Sequence, residues 1–245
     1  MPALADRILC TMRVPFALAV LVVASFGTAQ QPATPSAPPA DAASVKFDFG
    51  WPQGMPWQKY SIEVHSDGKS HFEGDPNPED TRDADTVRQD FTMSAANLQK
   101  IFELSRKLNY FRGELDSHLK HIAQTGKKTL EYRSPQIQGS ATYNWSQNAD
   151  VQELTRLFMG IAMTVDYGQK LAFQYRFDKL GMDQRLKELV SLQDDHGAEE
   201  IEIIAPILHK IADDPSMMNI SRQSALHLLH TMNGDGSVAQ NPASQ

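Results

Sequence analysis

The chain has 245 residues, a formal net charge of −7 and a single cysteine. A chain this acidic, without a basic cluster, is a poor match for nucleic acid or for an anionic membrane surface. The one cysteine, Cys10, lies in a segment that we expect to be removed. Disulfides, thiolate nucleophiles and cysteine-based metal sites are therefore excluded from the rest of the chain.

The first 29 residues have the pattern of an export signal. Arg7 and Arg13 form a basic start, residues 14–26 form an apolar run, and residues 27–29 are small enough for a cleavage site. The run is shorter than the roughly 18 to 20 apolar residues that a membrane anchor needs. We therefore expect an exported protein, periplasmic or secreted, that is not attached to a membrane after signal cleavage.

Residues 60–74 alternate apolar and polar side chains on both sides of a Ser-Asp-Gly turn, which predicts a β-hairpin. A three-residue loop with Gly68 in the left-handed conformation pairs Ile62 with Phe72, whereas a two-residue loop mixes aliphatic and charged side chains on one face. We expect the three-residue loop. The predicted buried face consists of Tyr60, Ile62, Val64 and Phe72, and the solvated face of Glu63, His65, His71 and Glu73.

The remaining periodic segments predict further strands and two helices. Because strands and helices occur in mixed order, we expect an α+β fold, a mostly antiparallel sheet with two helices on one face. Strands are predicted over residues 45–49, 87–93, 127–132 and 139–145, with helices that begin at Ser94, an N-cap residue, and at Asp150, which has capping-box spacing to Glu153.

Beyond residue 166 only helical patterns occur, and the last two resemble one HEAT-type helical hairpin with Pro206 inside its first helix. We expect these helices to form a small all-helical C-terminal extension. The predicted organisation is a signal peptide (1–29), a disordered proline- and alanine-rich linker (30–43), an α+β domain (44–166), the helical extension (167–233) and a disordered tail (234–245).

Four stretches carry a resemblance to a known family: the hairpin of residues 60–74, FTMSAANLQKIFELSRKLNYF, TGKKTLEY and VQELTRLFMGIAMTVD. Together they resemble an exported bacterial domain of unknown function over residues 45–165. The resemblance implies the fold and no reaction. Family members often carry Cys-Phe-Gly-x-Cys-Pro just before the tyrosine of the hairpin. Here FGWPQGMPWQKY has no cysteine, so the resemblance implies no redox or disulfide role.

Asp116, His118 and His121 are the best candidates for a metal site. Two imidazoles three residues apart, beside a carboxylate, can bind zinc if a water and firm backing complete the site. The same short pattern is also typical of a polar loop. The histidines of the first hairpin are less suitable, because a flat two-stranded surface gives a metal no enclosure.

The TGKKT stretch of residues 125–129 does not predict a phosphate-binding loop. A P-loop needs a glycine where His121 stands and a hydroxyl residue where Lys128 stands. The helical histidines, His209, His227 and His230, lie opposite apolar stripes and are predicted to face solvent. The sequence thus predicts no cofactor.

Trp51, Met55 and Trp57 lie on a proline- and glycine-rich stretch beside a predicted sheet edge. Exposed, they would form a lip for a ligand or partner. Turned inward, they would close the end of the core, which is the arrangement that we favour.

From these patterns we expect an exported, non-catalytic binding or interaction module for an unknown protein or small ligand. One alternative is a metal-dependent hydrolase that uses Asp116, His118 and His121. The other alternative is a structural envelope protein that docks a partner through its helical extension.

Overall fold

A computed structural model describes residues 43–50, 56–77, 85–120 and 123–232. In these ranges the chain forms six β-strands and five α-helices. The strands are β1 (Ser44–Gly50), β2 (Trp57–His65), β3 (Lys69–Pro76), β4 (Val87–Thr92), β5 (Lys127–Arg133) and β6 (Gln138–Tyr143). The helices are α1 (Ala95–Lys107), α2 (Ala149–Phe177), α3 (Met182–Asp194), α4 (Ala205–Asp213) and α5 (Asn219–Met232). The predicted α+β class is confirmed.

The predicted export signal, the predicted linker up to residue 42 and the predicted C-terminal tail lie outside the described residues. In the ranges that are described, no helix combines the length and the apolar content needed to cross a membrane.

The strands form one antiparallel sheet in the order β4-β3-β2-β1-β5-β6. The first hairpin has the predicted register, with Ile62 opposite Phe72 and Tyr60 opposite Gly74. Gly68 has a φ of 86°, which is the left-handed conformation that the three-residue loop requires. Turn chemistry and side-chain alternation therefore specify the same pairing, as predicted.

One face of the sheet is buried beneath α1 and α2, and the other face is polar. Phe47 of β1 stacks on Phe158 of α2 with ring centroids 5.0 Å apart, and Phe102 of α1 packs edge-on against Tyr132 of β5. The polar face carries cross-strand and neighbouring ion pairs such as Arg88 with Glu73. Exposed pairs of this kind stabilise a fold little, so the apolar face supplies most of the cohesion.

Helix α2 is a single helix of 29 residues that begins one residue after Asn148, whose side-chain oxygen accepts a hydrogen bond from the Asp150 N–H. The capping-box spacing had predicted that the helix is capped by Asp150. This prediction is wrong, because Asn148 is the N-cap residue. The helix also runs through residue 166, where we placed the end of the α+β domain. It continues because its buried side persists to Leu171, which is fully buried.

Helix α4 begins later than the sequence pattern predicts. Residues Ile201–Ile204 form a 3-10 turn, and α4 starts only at Ala205, so Pro206 lies in the first turn of the helix rather than inside it. Proline is tolerated there because an N–H at that position has no partner within the helix. Helices α4 and α5 pack against each other.

Glu200 connects the C-terminal part to the start of α1. Its buried carboxylate accepts hydrogen bonds from the Ser94 N–H at 2.9 Å, the Ser94 hydroxyl at 2.6 Å and the Asn97 side-chain amide at 2.8 Å. Glu200 itself has a left-handed backbone with φ 56°. A buried carboxylate with three donors is a stabilising arrangement, because the donors replace the water it has lost.

We expect Glu200→Gln to lower the free energy of unfolding by about 1 to 3 kcal/mol, because the new amide NH2 faces hydrogen-bond donors and the charge-assisted bonds are lost. Urea denaturation measures the change. Glu202→Gln is the matched control, since Glu202 is exposed and its replacement should have an effect within about 0.5 kcal/mol. Equal effects of the two substitutions would contradict a bracing role for Glu200.

Candidate ligand-binding groove

A groove of about 580 Å³ lies between one end of the sheet and the N-terminal half of α2. Small-molecule sites in proteins are concave, mostly apolar and about 300 to 1,000 Å³ in volume, so the groove has the right size for one. Its lining comes from the end of β1, the start of β2, the start of β5, the end of β6 and α2, with Leu192 and Gly197 beside them.

Aromatic and aliphatic side chains form most of the groove wall. On the sheet side, Phe49 and Tyr60 stack with ring centroids 5.1 Å apart. Both rings are buried, whereas Trp145 lies at the wall with 40% of its surface exposed. On the helix side, the wall is made by Val151, Met159, Ala162 and Met163.

Trp57 belongs to both the core and the groove. It is only 3% exposed, its indole N–H donates a 3.0 Å hydrogen bond to the carbonyl of Ala162 in α2, and its ring packs edge-on against Phe72. Trp57 is thus turned inward. Trp51 and Met55, which we grouped with it as a lip, lie outside the described residues.

We expect Trp57→Phe to lower the free energy of unfolding by about 1 to 3 kcal/mol, because it removes the buried hydrogen bond and leaves unfilled volume between sheet and helix. Urea denaturation followed by circular dichroism measures the change. Trp145→Phe serves as the control, since this half-exposed ring has no such bond and should change stability by less than about 0.5 kcal/mol. If Trp57→Phe leaves the free energy of unfolding unchanged, the indole does not hold α2 in place.

Lys128 places a buried ammonium group at the groove. The residue is 4% exposed and occupies an inward position of β5. Its Nζ donates to the carbonyls of Thr125 (2.8 Å), Asn144 (2.9 Å) and Gly126 (3.2 Å) and to the Thr125 hydroxyl (3.0 Å). The rings of Phe49 and Tyr143 flank the group, with centroids 5.8 and 5.9 Å from Nζ.

Burial lowers the pKa of Lys128 to about 8, although the nearby negative charge of Asp116 acts in the opposite direction. The desolvated ammonium ion is disfavoured relative to the neutral amine, and the oxygen cage offsets that cost only in part. Lys128 is therefore a cation whose charge can be removed within a few pH units of neutrality.

We expect wild-type protein to gain about 2 kcal/mol of stability relative to Lys128→Met between pH 7.5 and 10. Well below pH 8 Lys128 is protonated in both the folded and the unfolded chain, and the cost of burying the charge is fully present. As the pH rises toward the ordinary lysine value of 10.5, the folded state loses its proton first, so its relative stability increases.

The measurement is urea denaturation of both proteins across this pH range. The two buried tyrosines at the groove, Tyr60 and Tyr143, are present in both proteins, so their titration cancels in the difference. A difference in stability that stays constant with pH would show that the ammonium group is not desolvated.

The other polar groups at the groove make contacts that hold the fold. The Tyr143 hydroxyl lies 2.5 Å from the Thr155 hydroxyl, and burial raises the pKa of Tyr143 to about 12. Burial raises the pKa of Tyr60 as well. The Arg156 guanidinium donates to the carbonyl of His196 and to the carboxylate of Glu199.

The candidate metal residues are placed differently from the groove wall. The Asp116 carboxylate accepts backbone N–H groups from Asn144 at 2.6 Å and His118 at 2.7 Å, and these bonds lower its pKa. The His118 side chain is 72% exposed. His121 lies outside the described residues, and within the described part of the chain no group of three His, Cys, Asp or Glu side chains is placed to hold a metal ion.

The histidines of the first hairpin lie on the polar face of the sheet. His71 contacts the exposed Asp90 of β4 with an Nδ1 to Oδ1 distance of 2.6 Å. The Nε2 atom of His65 lies 4.0 Å from Oε1 of Glu63. On the helices, His209, His227 and His230 are exposed.

Exposed apolar side chains concentrate at the C-terminal end of α2 and before α5. Phe173 and Phe177 contact each other there, with ring centroids 5.0 Å apart, and Leu180 is 81% exposed. Met218 and Ile220 are partly exposed in the turn before α5 and in its first turn. These side chains lie in the predicted helical extension, through which one alternative from the sequence expects a partner to dock.

Lys128 is the groove residue that sequence reasoning missed. The signal was present, because alternation over KKTLEY places Lys128 on the same side as Leu130 and Tyr132, which are buried. A lysine at an apolar position of a predicted strand indicates a buried cation, and such cations occur most often where charge has a function.

Comparison of the chain with protein-family models gave no match, and comparison with curated proteins also gave none.

Proposed function

We propose that this protein is an exported, non-catalytic binding module that holds an apolar small molecule in the groove between the sheet and α2. The observation that carries the proposal is the groove itself, with its volume of about 580 Å³ and its wall of aromatic and aliphatic side chains. A groove of this composition and size suits a ligand that buries most of its surface. The basic start and short apolar run of residues 7–26 support export.

The polar groups at the groove support binding rather than catalysis. Tyr143 and Arg156 are engaged in contacts that join elements of the fold, and Lys128 is surrounded by four oxygen acceptors. None of these contacts has the arrangement of a nucleophile beside a positioned base.

We expect the purified protein to bind the uncharged fluorophore N-phenyl-1-naphthylamine saturably, with one site per chain. Met159→Trp should weaken binding at least about tenfold, because the larger ring fills the groove from the α2 side. Fluorescence titration measures the affinity, and circular dichroism checks that the variant remains folded.

Leu180→Trp is the control, because Leu180 is exposed and is not among the groove residues. Its affinity should stay within about twofold of wild type. The proposed function would be contradicted if the fluorophore bound without saturation. It would also be contradicted if folded Met159→Trp bound the fluorophore as tightly as wild-type protein.

A further inference from the structure

We infer that the ligand of the groove is an apolar carboxylate, an alkyl or aryl body that carries one carboxylate group, and that Lys128 pairs with this group. The inference rests on the proposed function and adds the chemical class of the ligand.

The ammonium group of Lys128 donates hydrogen bonds to neutral oxygens. Its four oxygen partners are three carbonyls and a hydroxyl, all of them neutral. In the described part of the chain, no carboxylate lies within ion-pair distance of Nζ. The buried ammonium group is therefore solvated by dipoles but lacks a counter-ion in contact, which is an unusual state for a buried charge.

The ammonium group of Lys128 has more hydrogen-bond acceptors around it than it has N–H bonds. An ammonium group has three N–H bonds, and here four oxygens share them. A ligand oxygen can therefore replace one acceptor without leaving an N–H bond unused. The most easily released partner is the Gly126 carbonyl, which has the longest distance at 3.2 Å.

The other charged groups near the groove compensate this cation only in part. Asp116 raises the pKa of Lys128 through space, but its carboxylate oxygens accept the N–H groups of His118 and Asn144 and make no hydrogen bond with Nζ. On α2, Arg156 is paired with Glu199, so that pair is close to neutral as a unit.

The surroundings of the ammonium group define the rest of the ligand. Rings of Phe49 and Tyr143 flank Nζ, and Met159 and Met163 of α2 line the same groove. An alkyl or aryl body fits such a wall, while a second charge would have no partner there. A cationic head group would be repelled by Lys128, and a neutral hydroxyl would leave the charge without a counter-ion.

The test compares three ligands of equal chain length at pH 7: decanoate, decanol and decylamine. Displacement of N-phenyl-1-naphthylamine from the wild-type protein gives their affinities. We expect decanoate to bind at least about tenfold more tightly than decanol, as a charge-assisted hydrogen bond to a desolvated cation allows. Decylamine, which is cationic at this pH, should bind most weakly.

Lys128→Met should reduce the affinity for decanoate to that for decanol and change the affinity for decanol itself by less than about threefold. Lys127→Met is the matched control, because Lys127 is the exposed neighbour in the same strand and should keep the wild-type preference. A preference for decanoate that survives Lys128→Met would overturn the inference.

A second measurement needs no variant and covers the case in which Lys128→Met does not fold. Between pH 7 and 10 decanoate remains ionised while Lys128 loses its proton. The affinity of wild-type protein for decanoate should therefore fall with rising pH, whereas its affinity for decanol should not. A decanoate affinity that is unchanged over this range would count against pairing with Lys128.

The outcomes also separate this inference from the proposed function. If the fluorophore binds in the groove but decanoate has no advantage over decanol, the ligand class is wrong and the binding function stands. If neither the fluorophore nor decanoate binds, the proposed function fails together with the inference.

Discussion

The packing of α2 against the buried face of the sheet is the interaction on which the rest of the structure depends. Phe47 stacks on Phe158, and the Trp57 indole is bonded to the Ala162 carbonyl, so ring contact and hydrogen bonding fix the helix at neighbouring points. Trp57 and Ala162 also line the groove, so this contact lies at its boundary. The core and the groove therefore share part of their structure, because Trp57 packs in the core and also lines the groove.

Local patterns were sufficient to predict the fold class and the first hairpin, because their information lies within a few residues. Gly68 and the alternation on either side of it specify one register, and tertiary contacts did not override it. The limits of α2 and α4 were harder to predict. Helical periodicity does not show where the partner of a helix changes from sheet to helices, nor that Pro206 occupies a first turn after a 3-10 segment.

The groove was beyond the reach of sequence patterns because it is assembled from distant segments. Trp57 and its partner Ala162 are 105 residues apart, and no spacing rule connects them. Lys128 was visible as an inward position of a strand, but it was weighed only as part of a phosphate-loop motif. Its significance depends on the apolar wall around it, to which Phe49 contributes from β1 and Met159 from α2. For the metal candidates, the pairing of Asp116 with backbone N–H groups is also a contact that residue types alone do not reveal.

The unbroken course of α2 has a consequence for how the molecule loses its structure. The first half of this helix covers the sheet, its second half carries side chains that meet the C-terminal helices, and Glu200 joins those helices back to Ser94. Unfolding of either region would remove native contacts of the other. We therefore expect heat or denaturant to unfold the two regions together in a single cooperative transition, although the first is mixed α and β and the second is purely helical.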